Sequence, residues 1–421
     1  MNEQSLTKKL TREQKDQRLY CFAIGLLLSF MPFTLLFNGL CNEYIYKGFI
    51  YDTFLCYGLV WLVVGFSICK CFTNLRFDMW VFMALFGSVW AYTYMCMPIN
   101  RYFMYQSYMD VAGNPLYQLY MYAFPGYILI RCINDYTLLE NTLRKFSVAT
   151  VWASIILFLF NFYVHETQIG YMVFSYNMLP HITFLALGNS EKHTRRHRLL
   201  GYIGLVFVLI LGCRGALVGF FVSFLCKLFF EQKATLTKIV QFVSICILLV
   251  VTVFFFESIV SWLVEFANFL GFDSRTLTYL QQGRFFEDSG REAMQRHIFS
   301  ELTWTGHGMY GDRLTDKYFG SYAHNVIIEF LNNFGYVGGS ILSVMLIYFV
   351  LKGLFIDNSQ VRLLVIIFLA SGFVKLLFSS SYLSQEPSFY ILLGLCASKL
   401  QKNKTTNEVA KNEKNFKAYQ A

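Results

Sequence analysis

At 421 residues, with 56% hydrophobic and 14% charged side chains, the chain has too little polar surface to cover a soluble globule of its size and reads as an all-α polytopic membrane protein. Its net charge of +9 follows from how Lys and Arg divide between two membrane faces, so nucleic acid is not called for as a partner. The eleven cysteines lie mostly in or beside apolar runs and the longest polar loop holds none, which argues against a disulfide framework.

A basic segment, residues 1–18, precedes the first apolar run. That run is too long for a signal-peptide core and lacks a small-residue cleavage site, so it is expected to stay as an anchor. Runs near the roughly 20 residues that span a bilayer occur at 19–40, 49–69, 77–97, 116–133, 146–164, 169–188, 239–256, 337–356 and 361–380. Shorter runs lie at 199–213, 215–230 and 387–398. Twelve spans are expected, nine of them within 19–256 and three within 325–400.

Placing the amino terminus in the cytoplasm puts 25 basic residues on the inner face and 9 on the outer, with Lys375 inside a helix. Cytoplasmic flanks retain positive charge, so both termini are expected inside. The outer loop 101–115 is rich in Tyr and Phe, as an interfacial belt is and as a sugar-stacking surface also is. Residues 401–421 form a lysine-rich tail suited to anionic lipid.

One extracytoplasmic loop, 257–324, is far longer than the rest, and a loop of that length in a compact bundle is usually functional. Ile259, Trp262, Leu263, Phe266, Phe269 and Leu270 recur at helical spacing, which predicts an amphipathic helix on the membrane surface. A short helix over REAMQRHIFSEL and the turn-rich WTGHGMYGD come next.

Arg214 sits in LILGCRGALVGFF, between two runs that are each short for a span. An ionised Arg near membrane depth faces a cavity or an anion, or it snorkels from a helix end or pairs with a loop carboxylate. A hairpin with Arg214 at its outer tip keeps the charge bias; one helix through 199–230 would carry the lysine-rich tail outside. The outer cations are mainly Arg, whose planar fork suits phosphate oxygens. The long loop nevertheless holds nine acids against six bases. Glu292 and Arg296, and likewise Arg284 and Asp288, are four apart and can pair. Arg291 opens the REAM helix, where backbone N–H groups also attract anions, although Glu287 could neutralise it.

His307 lies in the turn TGHG, and His324 adjoins Asn325 where a membrane helix begins. A neutral imidazole at the boundary can take a proton from a sugar hydroxyl or simply hold an interfacial hydrogen bond. Asn325 is also a natural N-cap, and Glu329, four residues on, shares its helical face. Gly335, Gly338 and Gly339 read as close-packing positions. His297, His307 and His324 lack the HExxH, paired-cysteine or Asp-x-Asp companions of a metal site.

Three signatures in order, CRGALVGFF, SGREAM and HNVIIEFLNNFGYVGG, span roughly residues 199–345. They resemble the O-antigen polymerase and O-antigen ligase superfamily of bacterial surface-polysaccharide assembly. The resemblance implies a GT-C-like fold in the cytoplasmic (inner) membrane and a metal-independent, inverting glycosyltransferase without cofactor. It implies an undecaprenyl-diphosphate-linked oligosaccharide as donor, with Arg214 and Arg291 holding the diphosphate and His324 as base. Arg284, His307, Asn325 and Glu329 would line the substrate site. A lipid-linked acceptor, membrane lipid, a chain-length regulator and a flippase are the implied partners. A polymerase would pass the glycan to another lipid-linked repeat unit, and a ligase to lipid A core; the WTGHG turn and the HN-x-IIEFL-x-x-FG form resemble polymerases more. A flippase would show repeat symmetry and midplane charge in several helices, whereas here Lys375 is the clearest interior charge.

Overall fold

The computed structural model describes residues 11–44, 58–72, 75–101, 124–160, 171–189, 193–211, 213–231, 256–269, 281–282, 291–314, 321–384 and 386–397. Every regular element among these is helical. In chain order they are α1 (Arg12–Tyr44), α2 (Gly58–Phe72), α3 (Phe77–Cys96), α4 (Phe124–Cys132), α5 (Tyr136–Phe160), α6 (Tyr171–Leu187), α7 (Arg195–Leu211) and α8 (Arg214–Glu231). After these come α9 (Phe256–Phe269), α10 (Arg291–Ser300), α11 (Val326–Leu354), α12 (Ser359–Phe368), α13 (Lys375–Phe378) and α14 (Pro387–Ala397). A 3-10 turn covers Gly311–Arg313, and a π-helical turn, Leu369–Val374, joins α12 to α13.

Five stretches are long and apolar enough to cross a membrane: Arg12–Cys41, Phe77–Cys96, Tyr136–Phe160, Val326–Leu354 and Ser359–Phe378. Gly58–Phe72, Gly215–Phe230 and Pro387–Ala397 are apolar but shorter. The protein is therefore a helical membrane protein. The expected run at 116–133 appears as α4 over its second half, and most of 239–256 lies outside the described residues. The chain breaks between Leu211 and Arg214, so the expected hairpin of two helices forms there and α7 packs on α8.

Local chemistry fixes several helix starts. Thr11 and Gln14 exchange side-chain to backbone bonds of 3.3 and 3.1 Å ahead of α1, a capping box. Asp135 accepts from Leu138 N at the start of α5, and Asn358 accepts from Gln360 N and Val361 N at the start of α12.

The two ends of the bundle differ in chemistry. At one end Lys70 pairs with Asp16, Arg131 pairs with Asp78 at 2.8 Å, and Gln17 bonds Cys132 O and Asn134 N. Gln360 reaches Thr137 at the same end. At the other, Asn100 after α3 donates to the carbonyls of His307 and Met309 at 2.7 and 2.8 Å, fixing the loop behind α10 to the end of α3.

α14 has 11 residues and is buried nearly all round, as befits an apolar helix enclosed by protein. It packs on α4, α11, α12 and the π turn. Gly126 and Gly394 allow that approach, since a Cβ at Gly394 would stand 2.3 Å from Ile130. Ser223 of α8 holds α12 just ahead of the π turn, its hydroxyl donating to Ile366 O at 2.6 Å. The later part of α11 turns Val337, Ile341, Val344 and Tyr348 outward, a stripe suited to lipid.

Gly335 breaks α11, with φ 75° and ψ 176°. The interrupted helical bonds are taken over by the loop 303–308: His307 N donates to Asn332 O (2.8 Å), Gly308 N to Asn333 O (2.9 Å) and Tyr336 N to Thr303 O (3.1 Å). A Cβ at Gly335 would stand 2.0 Å from Trp304 O. Close packing is thus only part of the role of Gly335; the left-handed backbone is what lets the turn dock.

Candidate functional site

α10, α11, α8 and α13 converge at the end of the bundle that carries Asn100. Arg291, the first residue of α10, donates from Nη1 to Phe378 O and from Nη2 to Met172 Sδ at 3.1 Å. Asn325 caps α11 by accepting from Ile327 N and Ile328 N at 3.0 and 3.3 Å. Its amide also donates to Leu377 O at 3.3 Å. Two consecutive carbonyls therefore hold the start of α10 and the start of α11 together. The expected pair Glu292 and Arg296 forms at 2.6 Å.

The start of α8 joins the same place. A Cβ at Gly215 would meet Tyr176 Oη at 2.0 Å and Phe378 Cβ at 3.5 Å, so the residue after Arg214 packs where Arg291 is anchored. Burial pushes the Cys213 thiol up, and the charges of Lys375 and Arg291 act in part against it. Both cations thus lie near the turn that precedes Arg214.

His324 occupies the left-handed region, with φ 52°, a conformation uncommon outside glycine. Its ring lies 3.9 Å, centroid to centroid, from that of Tyr322. Burial first, and then the charges of Arg291 and Arg313, lower its pKa from 6.5 to about 4. The imidazole is neutral at physiological pH. Its Nδ1 is buried and, among the described residues, has no hydrogen-bond partner.

The remaining candidates divide. Glu329 is fully buried, accepting from the Ser381 hydroxyl and from Tyr382 N at 3.4 Å, so it faces into the protein. His307 lies at the α11 break, where Nε2 donates to Glu301 O at 2.9 Å and its backbone joins Asn332. The structure ties it to Asn332 and Asn333, two turns of helix beyond Asn325. Arg284 lies outside the described residues, and so does Glu287. Among the described residues no three His, Cys, Asp or Glu side chains gather as a metal would require.

Sequence reasoning passed over several neighbours of His324. Arg313 stacks on the rings of Tyr310 and Tyr322, with Cζ 4.6 and 5.7 Å from their centroids. Asp312 is buried and accepts from Ala323 N at 2.8 Å, which fastens the 3-10 turn to the residue before His324. Lys375, the interior charge noted in the sequence, pairs with Glu386 at 2.6 Å, with side-chain exposures of 12% and 6%. The local signal for Arg313 was only a Gly-Asp-Arg turn in an acidic loop.

A cavity of 630 Å³ opens between α3 and α11, lined mainly by apolar groups including Val89, Phe334, Ile341 and Leu342, with Gly308 and Asn333 also in its wall. In comparisons with known proteins, no family model, no curated relative and no solved structure matches the chain.

Proposed function

We propose that the protein is a polymerase of a bacterial surface polysaccharide, crossing the inner membrane twelve times in a GT-C-like arrangement with both termini in the cytoplasm. It would move the growing glycan from undecaprenyl diphosphate to a lipid-linked repeat unit on the outer face of that membrane. The observation that carries this reading is the convergence of Arg291, the start of α8 and Asn325, the residue after His324, on Leu377 and Phe378.

In the proposed reaction, a hydroxyl oxygen of the acceptor attacks the anomeric carbon from the face opposite the diphosphate. The bond from that carbon to the diphosphate oxygen breaks, the electron pair leaves with undecaprenyl diphosphate, and the configuration inverts. The leaving group needs its charge met, and guanidinium forks at a partly dried site do so. The hydroxyl proton passes to a ring nitrogen of His324, whose neutral imidazole can accept it. A bound diphosphate would offset the arginine charges that depress the imidazole, so the base would strengthen when the donor is in place. The apolar cavity between α3 and α11 offers room for part of a polyprenyl chain.

Deletion of the gene, with surface glycan examined by gel, tests the reading. Single repeat units in place of long polymer are expected. Complete polymer stranded on the lipid carrier would point instead to a ligase acting on lipid A core, and repeat units trapped inside would point to a flippase.

A further inference from the structure

Arg313 is placed with unusual care for a loop residue. Tyr310, in the left-handed region at φ 65°, turns the chain into the Gly311–Arg313 helix, and its ring is buried beneath the guanidinium. The buried Asp312 locks the same turn to Ala323. Tyr322 then touches the Arg313 guanidinium and the His324 ring at once. The two-point attachment fixes Arg313 beside the candidate base.

Among the described residues Arg313 has no ion pair, and its Nε is buried without a hydrogen bond. The acids nearest it are buried: Asp312 accepts from Ala323 N through one oxygen, with burial pushing its carboxyl up against the opposing charge of Arg313, and Glu329 accepts from Ser381 and Tyr382 N. Arg291 bonds only a carbonyl and a thioether. Two cations and a neutral imidazole in a partly dry setting are costly until an anion arrives.

We propose that Arg313 is a further anion-binding residue of this site, giving its guanidinium to the same diphosphate that Arg291 holds and so bringing that anion against His324. The proposal rests on the function proposed above. Tyr310 and Tyr322 act as the platform that presents the fork.

Full-length protein in lipid nanodiscs would be titrated with farnesyl diphosphate, and separately with inorganic pyrophosphate, for the wild type, Arg291→Gln, Arg313→Gln and Arg313→Lys. We expect wild-type binding, a loss of about tenfold or more in Arg313→Gln, and a smaller loss of at least about threefold in Arg313→Lys, which keeps charge and stem but not the fork. The imidazole of His324, followed by NMR, should shift its titration upward when farnesyl diphosphate is added to wild type and by clearly less in Arg313→Gln, a difference that an Arg313 serving only to stack on the tyrosines would not produce. If Arg313→Gln does not fold, Arg313→Lys alone decides. Losses below about threefold in every folded Arg313 variant, with Arg291→Gln impaired, overturn the assignment of Arg313 and leave the proposed function standing. No farnesyl diphosphate binding by wild type overturns the proposed function and this inference with it. Equal affinity for pyrophosphate would assign the site to free phosphates rather than a lipid headgroup, and so would count against both.

Discussion

Arg291 and Asn325 donate to adjacent carbonyls of one chain segment, Phe378 and Leu377. Residues 34 apart in sequence, on different helices, are thereby held in register by a third element. His324 inherits its position from that arrangement, since it directly precedes Asn325.

His324→Ala should abolish transfer while leaving the bundle intact, a loss of about 10²–10⁴-fold if the ring acts as a base. Glycan length in a complemented deletion strain is the readout. Wild-type polymer from this variant would remove His324 from the chemistry.

Arg214→Lys keeps the charge at the start of α8 but not the fork, so activity should fall by about tenfold or more at normal protein levels. Polymer of wild-type length would take Arg214 out of the diphosphate role.

The His324 imidazole should remain unprotonated from pH 8 down to about 4 in the ligand-free protein. In an unfolded chain the ring titrates near its ordinary 6.5. Between these values the unfolded state binds more protons, so stability present above about pH 6.5 is lost progressively as pH falls through about 4. Histidine NMR with a His324→Gln control for assignment checks the titration, and a midpoint near 6.5 would contradict it.

Gly335→Ala should destabilise the protein, since the left-handed backbone alone costs about 1–3 kcal/mol for a side chain. The Cβ would also overlap Trp304 O. Protease nicking within 303–314 is expected to rise, and an unchanged cleavage pattern would mean the turn does not depend on the break.

Lys375→Met or Glu386→Gln alone should destabilise by about 3–5 kcal/mol, because each leaves a buried charge unanswered. Replacing both with Met should recover much of that loss. Thermal melting in detergent would show this, and equal melting of wild type and single variants would show that the pair is dispensable.

Much of the bundle was legible because lipid demands an apolar run of fixed length. The expected 77–97 and 361–380 match Phe77–Cys96 and Ser359–Phe378 closely. Local signals were legible too: Asn325 caps α11, and Arg291 opens α10. Tertiary placement was not. Glu329 shares the Asn325 face of the helix, yet only the position of Ser381 turns that face inward. His307 looked like a free ring in a flexible turn, whereas the break at Gly335 supplies the unpaired carbonyls that capture its backbone. Arg313 stood out only as one cation in an acidic loop, and its place on Tyr310 and Tyr322 beside His324 is tertiary.

The π turn at Leu369–Val374 has a consequence for which changes the gene can tolerate. Such a turn carries one residue more than the α-helix it interrupts, so it absorbs that residue without turning α13 relative to α12. Deleting a single residue there would restore an α-helix with Lys375–Phe378 in nearly the same phase, whereas deleting one from α12, where no such slack exists, would rotate Lys375–Phe378 by roughly 100° about the helix axis. The carbonyls of Leu377 and Phe378 would then point away from Asn325 and Arg291, and the site would come apart without any of its own side chains having been altered.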